Sequence, residues 1–132
     1  MTPTIGFVGS LVLTLVCLGA AVVTGYKAKR KVHLTSVAGA VAMLVATIYY
    51  AIELGKLYDL HQDSMITRVH LSVAKVNTAA YLLPAVTGLR TLKNPAGRKL
   101  HGKVAWAVLL LTVFTAVTGC IMLLQADLLV PA

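Results

Sequence analysis

Apolar residues gather in four long runs along this chain, with short polar stretches between them. The first run, residues 5–25, contains no charged residue. The second, residues 33–56, has no Asp, Glu, Lys or Arg before Glu53. The third, residues 69–92, carries Lys75, Asn77 and Pro84 in its interior, and the fourth covers 100–125. A helix needs about 20 predominantly apolar residues to cross a bilayer, and each run reaches that length. The pattern predicts an all-α protein: one integral membrane domain over 1–132, built from four helices. Short connections favour antiparallel neighbours, so the expected arrangement is an up-down-up-down bundle. Pro84 removes a backbone donor and is expected to bend the third helix. Asn94-Pro95-Ala96-Gly97 reads as a turn, with proline presetting φ and glycine permitting positive φ.

Composition strengthens the membrane reading. Hydrophobic residues make up 58% of the 132, charged residues only 12%, and the mean hydropathy is +0.85. Soluble domains carry about 25% charged residues. The first run lacks a basic leader, so it is expected to be a retained helix rather than a signal peptide. Cys17 and Cys120 lie inside apolar runs with no metal-ligand spacing and read as small apolar helix residues.

The net charge of +8 is not spread evenly. Lys27, Lys29, Arg30 and Lys31 form one cluster; Arg90, Lys93, Arg98, Lys99 and Lys103 form another. Both fall between apolar runs, which marks those loops as cytoplasmic. Both termini are then expected outside, with the loop bearing Asp59, His61, Asp63 and Arg68. No aromatic or groove-reading motif accompanies the charge, so nucleic acid is not an expected partner. The expected location is a membrane, of the bacterial inner-membrane type, with the lipid bilayer itself as the first partner.

Three of the four histidines share a local pattern. Arg30-Lys31-Val32-His33 opens the second helix, Arg98-Lys99-Leu100-His101 the fourth and Thr67-Arg68-Val69-His70 the third. In the expected bundle His33 and His101 sit at one depth on diagonal helices. Neighbouring helices pack 8–10 Å apart, so the diagonal is on the order of 12–14 Å, a gap that suits two imidazoles with a haem iron between them. Helical spacing from His33 marks Val37, Ala40, Leu44 and Thr47. From His101 it marks Ala105, Val108, Thr112, Thr115 and Gly119. Arg30, Lys31, Lys99 and Lys103 stand where haem propionates would emerge. The competing reading makes both histidines interfacial groups that bond a helix end or a lipid headgroup.

On the outer side, His61 and His70 form a candidate second site. It would hold a second haem, or a small metal ion with help from Glu53, Asp59 or Asp63; solvated loop polar groups are the simpler alternative. His70, Ala74, Asn77, Tyr81, Pro84 and Gly88 share one face of the third helix. Asn77 is expected to bridge helices, Lys75 to snorkel outward, and Glu53 to pair with Lys56 or Lys75.

Gly97-Arg98-Lys99-Leu100-His101-Gly102 with the later Thr118-Gly119 resembles the closing helix of the four-helix, bis-histidine b-type membrane cytochromes. The resemblance implies haem b, held by His33 and His101, and electron exchange with quinone or a respiratory partner. Di-haem members of that group use a second histidine pair on two further helices, and here His70 has no helical partner. The chain is also similar to a family of small bacterial membrane proteins linked to respiratory-oxidase assembly, through His33, His70, Leu83-Pro84, Arg98 to His101 and Thr118-Gly119. That likeness implies haem or copper delivery. A third reading is a structural subunit of a homo- or hetero-oligomeric complex. There is no nucleophile–base pair, phosphate loop or paired carboxylate, so catalysis is expected only as quinone-linked redox turnover, and no catalytic residue is assigned.

Overall fold

A computed structural model describes residues 2–61 and 63–129. Five α-helices dominate: α1 Pro3–Tyr26, α2 Arg30–Gly55, α3 Met65–Ala80, α4 Leu82–Lys93 and α5 Arg98–Leu124. A single 3-10 turn, Pro95–Gly97, joins α4 to α5. Among the described residues three helical stretches are long and apolar enough to cross a membrane: Pro3–Tyr26, Arg30–Gly55 and Pro95–Leu124.

The third expected helix requires a correction. Residues 69–92 are not one helix but parts of α3 and α4, which meet at Tyr81. Proline at position 84 has no N–H for the carbonyl of Ala80, and its ring crowds that carbonyl. The break at Tyr81 therefore follows directly on the residue whose carbonyl the proline leaves without a partner. The first hydrogen bond across it, from the Ala85 N–H to the Tyr81 carbonyl, is long at 3.5 Å.

The helices form two compact units. In the first, α1 packs on α2 and is joined by Leu128 and Leu129, where the Leu129 N–H donates to the Leu57 carbonyl. In the second, Leu60–Asp127, α5 packs on both α3 and α4.

Both units have small or polar interiors and apolar exteriors. Ser10, Thr14, Thr47, Thr67, Asn77, Thr112 and Thr118 are buried, whereas Val16, Val45 and Leu110 are each more than 60% exposed. In water this would be inside out. In lipid it is the expected order, because small residues let helices approach and buried hydroxyls can bond within the protein. Thr14 and Thr47 bring their hydroxyls within 3.3 Å across α1 and α2, and each also donates to a carbonyl one turn back in its own helix. Gly39 admits the Cys17 sulfur and Gly6 admits the Tyr50 ring. A bilayer is the environment these surfaces fit.

Two loops show how their turns are held, and the second differs from expectation. The turn between α1 and α2 ends α1 with paired bonds, from the Lys29 N–H to the Thr24 carbonyl and from the Ala28 N–H to the Gly25 carbonyl. That motif places Ala28 in the left-handed region, at φ 53, where glycine is usual. Ala28→Gly is expected to stabilise the first hairpin by about 1 kcal/mol, measured as a raised unfolding midpoint in detergent. The Asn94–Gly97 turn forms, but Gly97 has φ −73 and no described glycine has positive φ. The turn rests instead on Pro95 at its first position and on the Asn94 side chain, whose Oδ1 accepts from the Ala96 N–H at 3.0 Å.

Glu53 pairs with Lys56 at 2.6 Å, one of its two expected partners. Its hydrogen bond and charge raise the pKa of the Lys56 ammonium. Lys75 is exposed, as snorkelling requires.

Candidate functional site: three histidines, each beside a Thr-Gly pair

Each helix-opening histidine is seated against a neighbouring helix of its own unit, and the three seats share one build. His33, on the first turn of α2, reaches α1. Its Nδ1 lies 2.7 Å from the Ala21 carbonyl oxygen, and Gly25 lies beside the ring. His101, on the first turn of α5, reaches α4. Its Nδ1 lies 3.1 Å from the Thr87 hydroxyl, and Gly88 lies beside the ring. His70, on α3, reaches the far end of α5. Its Nδ1 lies 3.1 Å from the Thr118 hydroxyl, with Gly119 against the ring.

The Ala21 partner assigns the tautomer of His33, whereas the hydroxyls beside His101 and His70 can donate or accept. The Ala21 carbonyl can only accept, so His33 donates from Nδ1. The Thr87 hydroxyl already donates to the Leu83 carbonyl at 2.8 Å, and the Thr118 hydroxyl to the Thr115 carbonyl at 3.0 Å. With its proton so placed, each hydroxyl is available to accept from a histidine Nδ1–H. In a neutral ring this arrangement puts the lone pair on Nε2.

The glycines keep the rings in place. A Cβ on Gly25 would stand 3.3 Å from His33 Nδ1, and one on Gly88 3.2 Å from His101 Cε1. One on Gly119 would stand 2.8 Å from His70 Cε1, closer than real Cβ contacts come. These are cradles that any side chain would begin to fill.

The sequence carried a signal for these seats beyond the histidines themselves. Val-Thr-Gly occurs three times, at 23–25, 86–88 and 117–119. Each glycine of the three faces a different helix-opening histidine. In both α1–α2 and α4–α5 the order along the chain is Val-Thr-Gly, a basic turn, then Arg-Lys-x-His. The seats differ in one respect. Thr24 bonds its own helix at Ala20 rather than His33, so a backbone carbonyl does for His33 what a hydroxyl does for His101 and His70.

The helix faces expected from the histidine spacing are largely packed. Ala40 and Thr47 are buried on the His33 stripe and Leu44 is half-buried, while Val37 is exposed. On the His101 stripe Val108, Thr112 and Gly119 are buried, and Ala105 and Thr115 are half-buried. Asn77 bridges α3 to α5 as expected, with its Oδ1 accepting from Thr112 at 3.3 Å. The Tyr81 hydroxyl lies 2.8 Å from the same threonine, whose single proton is shared between Asn77 and the Val108 carbonyl at 2.8 Å. Arg30, Lys31, Lys99 and Lys103 are all exposed, within one turn of His33 or His101.

The outer candidate site is not assembled from its expected members. His61 pairs with Asp127 at 3.1 Å, whereas His70 turns to Thr118. Asp63 lies 3.5 Å from Arg68, and Glu53 is held by Lys56. Among the described residues no group of three or more His, Cys, Asp or Glu side chains is placed to hold a metal ion. No protein-family model matches this chain, and neither a curated protein nor a solved structure matches it.

Proposed function

We propose that this chain is a membrane electron carrier that binds haem b, with His33 and His101 as the axial ligands. The carrying observation is the common build of their seats: Nδ1 held within 2.7–3.1 Å of a fixed oxygen on the neighbouring helix, and a glycine against the ring. Metal-bound histidines are oriented by this kind of outer hydrogen bond, which also raises their basicity. Haem iron supplies reversible one-electron chemistry when bound. The residues of this chain orient the imidazoles, exclude bulk from beside them, and offer Arg30, Lys31, Lys99 and Lys103 to the propionates. The reading takes the four-span bundle expected from the sequence as its frame, in a bacterial inner membrane with both termini outside. Quinone or a respiratory protein is the electron partner it implies.

The deciding experiment is an absorption spectrum of the detergent-purified protein, expressed with added haem precursor, with haem quantified per chain. A Soret band that shifts on dithionite addition is expected, with about one haem per chain. A colourless protein with no bound haem would overturn the reading.

His70 favours a second reading. It has the same seat at the other end of its unit, while His61 is engaged elsewhere. A lone oriented imidazole suits transient haem or copper handling, as an oxidase assembly factor requires. That reading predicts weak, exchangeable metal or haem binding that His70→Ala removes, detectable by equilibrium dialysis.

A further inference from the structure

Acidic residues are confined to one end of each unit. The chain has only four, Glu53, Asp59, Asp63 and Asp127, and none lies between positions 63 and 127. In the second unit, Asp63 precedes α3 and Asp127 follows α5. The cations Arg90, Lys93, Arg98, Lys99 and Lys103 gather at the opposite end, where α4 turns into α5, and all five are exposed. Among the described residues none of them meets a carboxylate. Their counter-charge must come from outside the unit.

The surface of α4 offers a shaped place for it. An open groove of about 190 Å³ is lined by Val86, Leu89, Arg90 and Lys93. These positions follow helical spacing and share one face. Val86 is 47% exposed and Leu89 65%, and Leu82, 67% exposed, extends the same apolar face by a turn. Apolar wall and paired cations thus follow one another along the helix axis, with the cations in its last turn. The positive-inside pattern puts that turn at the membrane–water boundary.

We infer that this groove is a binding site for one anionic phospholipid. Its phosphate sits between Arg90 and Lys93, and an acyl chain lies along Leu89, Val86 and Leu82. A phosphodiester accepts hydrogen bonds from a guanidinium and an ammonium together, which a zwitterionic headgroup offsets with its own cation. α4 has only 12 residues, so lipid alongside it meets both the headgroup end and the break at Tyr81. The site does not depend on haem. The cations at 27–31 provide the internal comparison, since they are equally basic and exposed but belong to the other unit.

Native mass spectrometry of the full chain, released from mixed phosphatidylglycerol–phosphatidylcholine nanodiscs, counts the lipid retained. The wild type is expected to keep one phosphatidylglycerol in preference to phosphatidylcholine. Arg90→Gln/Lys93→Gln should weaken that retention on the order of ten- to thirty-fold, two charges' worth of surface attraction. Lys27→Gln/Lys29→Gln should leave it unchanged. Leu89→Glu keeps both cations but sets a like charge against the phosphate, and should give the same loss by an independent route. Equal losses in the two double variants would mean diffuse charge rather than a site, and would overturn the inference. So would retention unchanged in Leu89→Glu, or competition by inorganic phosphate as effective as that by the lipid.

Discussion

Purified His101→Ala protein is expected to lose essentially all of its haem absorbance, and His33→Ala to do the same. On the proposed ligation His33 and His101 would together hold the haem, so either substitution would remove one of its two protein ligands and weaken its retention. His61→Ala is the matched control. His61 is exposed and pairs with Asp127 outside the proposed site, so its loss should leave the spectrum at wild-type intensity. Thr87→Val gives the graded member of the series. It keeps His101 but removes the hydroxyl beside its Nδ1. Outer partners of this kind are worth about 10–100-fold in metal affinity, so haem should bind more weakly while the Soret band persists in excess haem. Full haem content in both histidine variants would remove the ligand assignment, even if the wild type were red.

The second large effect concerns the first unit. Gly6→Ala is expected to destabilise it by about 1–3 kcal/mol, the usual range for overpacking a close contact. A Cβ at position 6 would lie 2.5 Å from Cε1 of Tyr50 and 2.6 Å from Cδ1 and Cζ. Three atoms of a rigid ring cannot all be avoided by a small side-chain adjustment. Either α1 moves away from α2, or the ring swings out and loses its place beside Tyr49, 5.3 Å away edge-on. Denaturant titration in detergent reads the loss. Tyr50→Ala in the same chain should recover most of it, giving a coupling of about 0.5–3 kcal/mol between the two sites. Additive losses would show that the clash is not what sets the tolerance at Gly6.

The haem prediction tests function and the glycine prediction tests packing, but they draw on one structural habit. At five places where two helices of a unit come close, a glycine on one receives a ring or a sulfur from the other. Gly6 takes Tyr50, Gly25 takes His33, Gly39 takes Cys17, Gly88 takes His101 and Gly119 takes His70. In lipid there is little hydrophobic gain from bringing helices together, so close backbone approach and buried hydrogen bonds carry association. The histidine seats use both, which is why they stand out against an otherwise aliphatic surface.

Helix existence was legible along the chain because it depends on local rules. A run such as 5–25 has no charge to place in a bilayer and no proline in its interior, so helix is its only economical state in lipid. The basic loops were legible for the same reason, as was the disturbance at Pro84, since a missing N–H acts on its own helix. The place of the break, at Tyr81, agrees with that local rule once the carbonyl four residues back is considered. Beyond a neighbour on the same helix such as Glu53 with Lys56, which side chain meets which was not legible. His61 and His70 share an expected end of the molecule, yet one turns to Asp127 and the other to Thr118. Nothing at residues 61–70 specifies that choice, because the partners lie far along the chain on α5 and beyond. The sequence by itself determined the three long apolar helices, the segregation of charge and the recurrence of Val-Thr-Gly with Arg-Lys-x-His, but not the division of the third expected helix at Tyr81. Only the tertiary structure decided that each glycine of that triplet is the seat of a histidine, because a seat is made by two helices and no single stretch of sequence contains both.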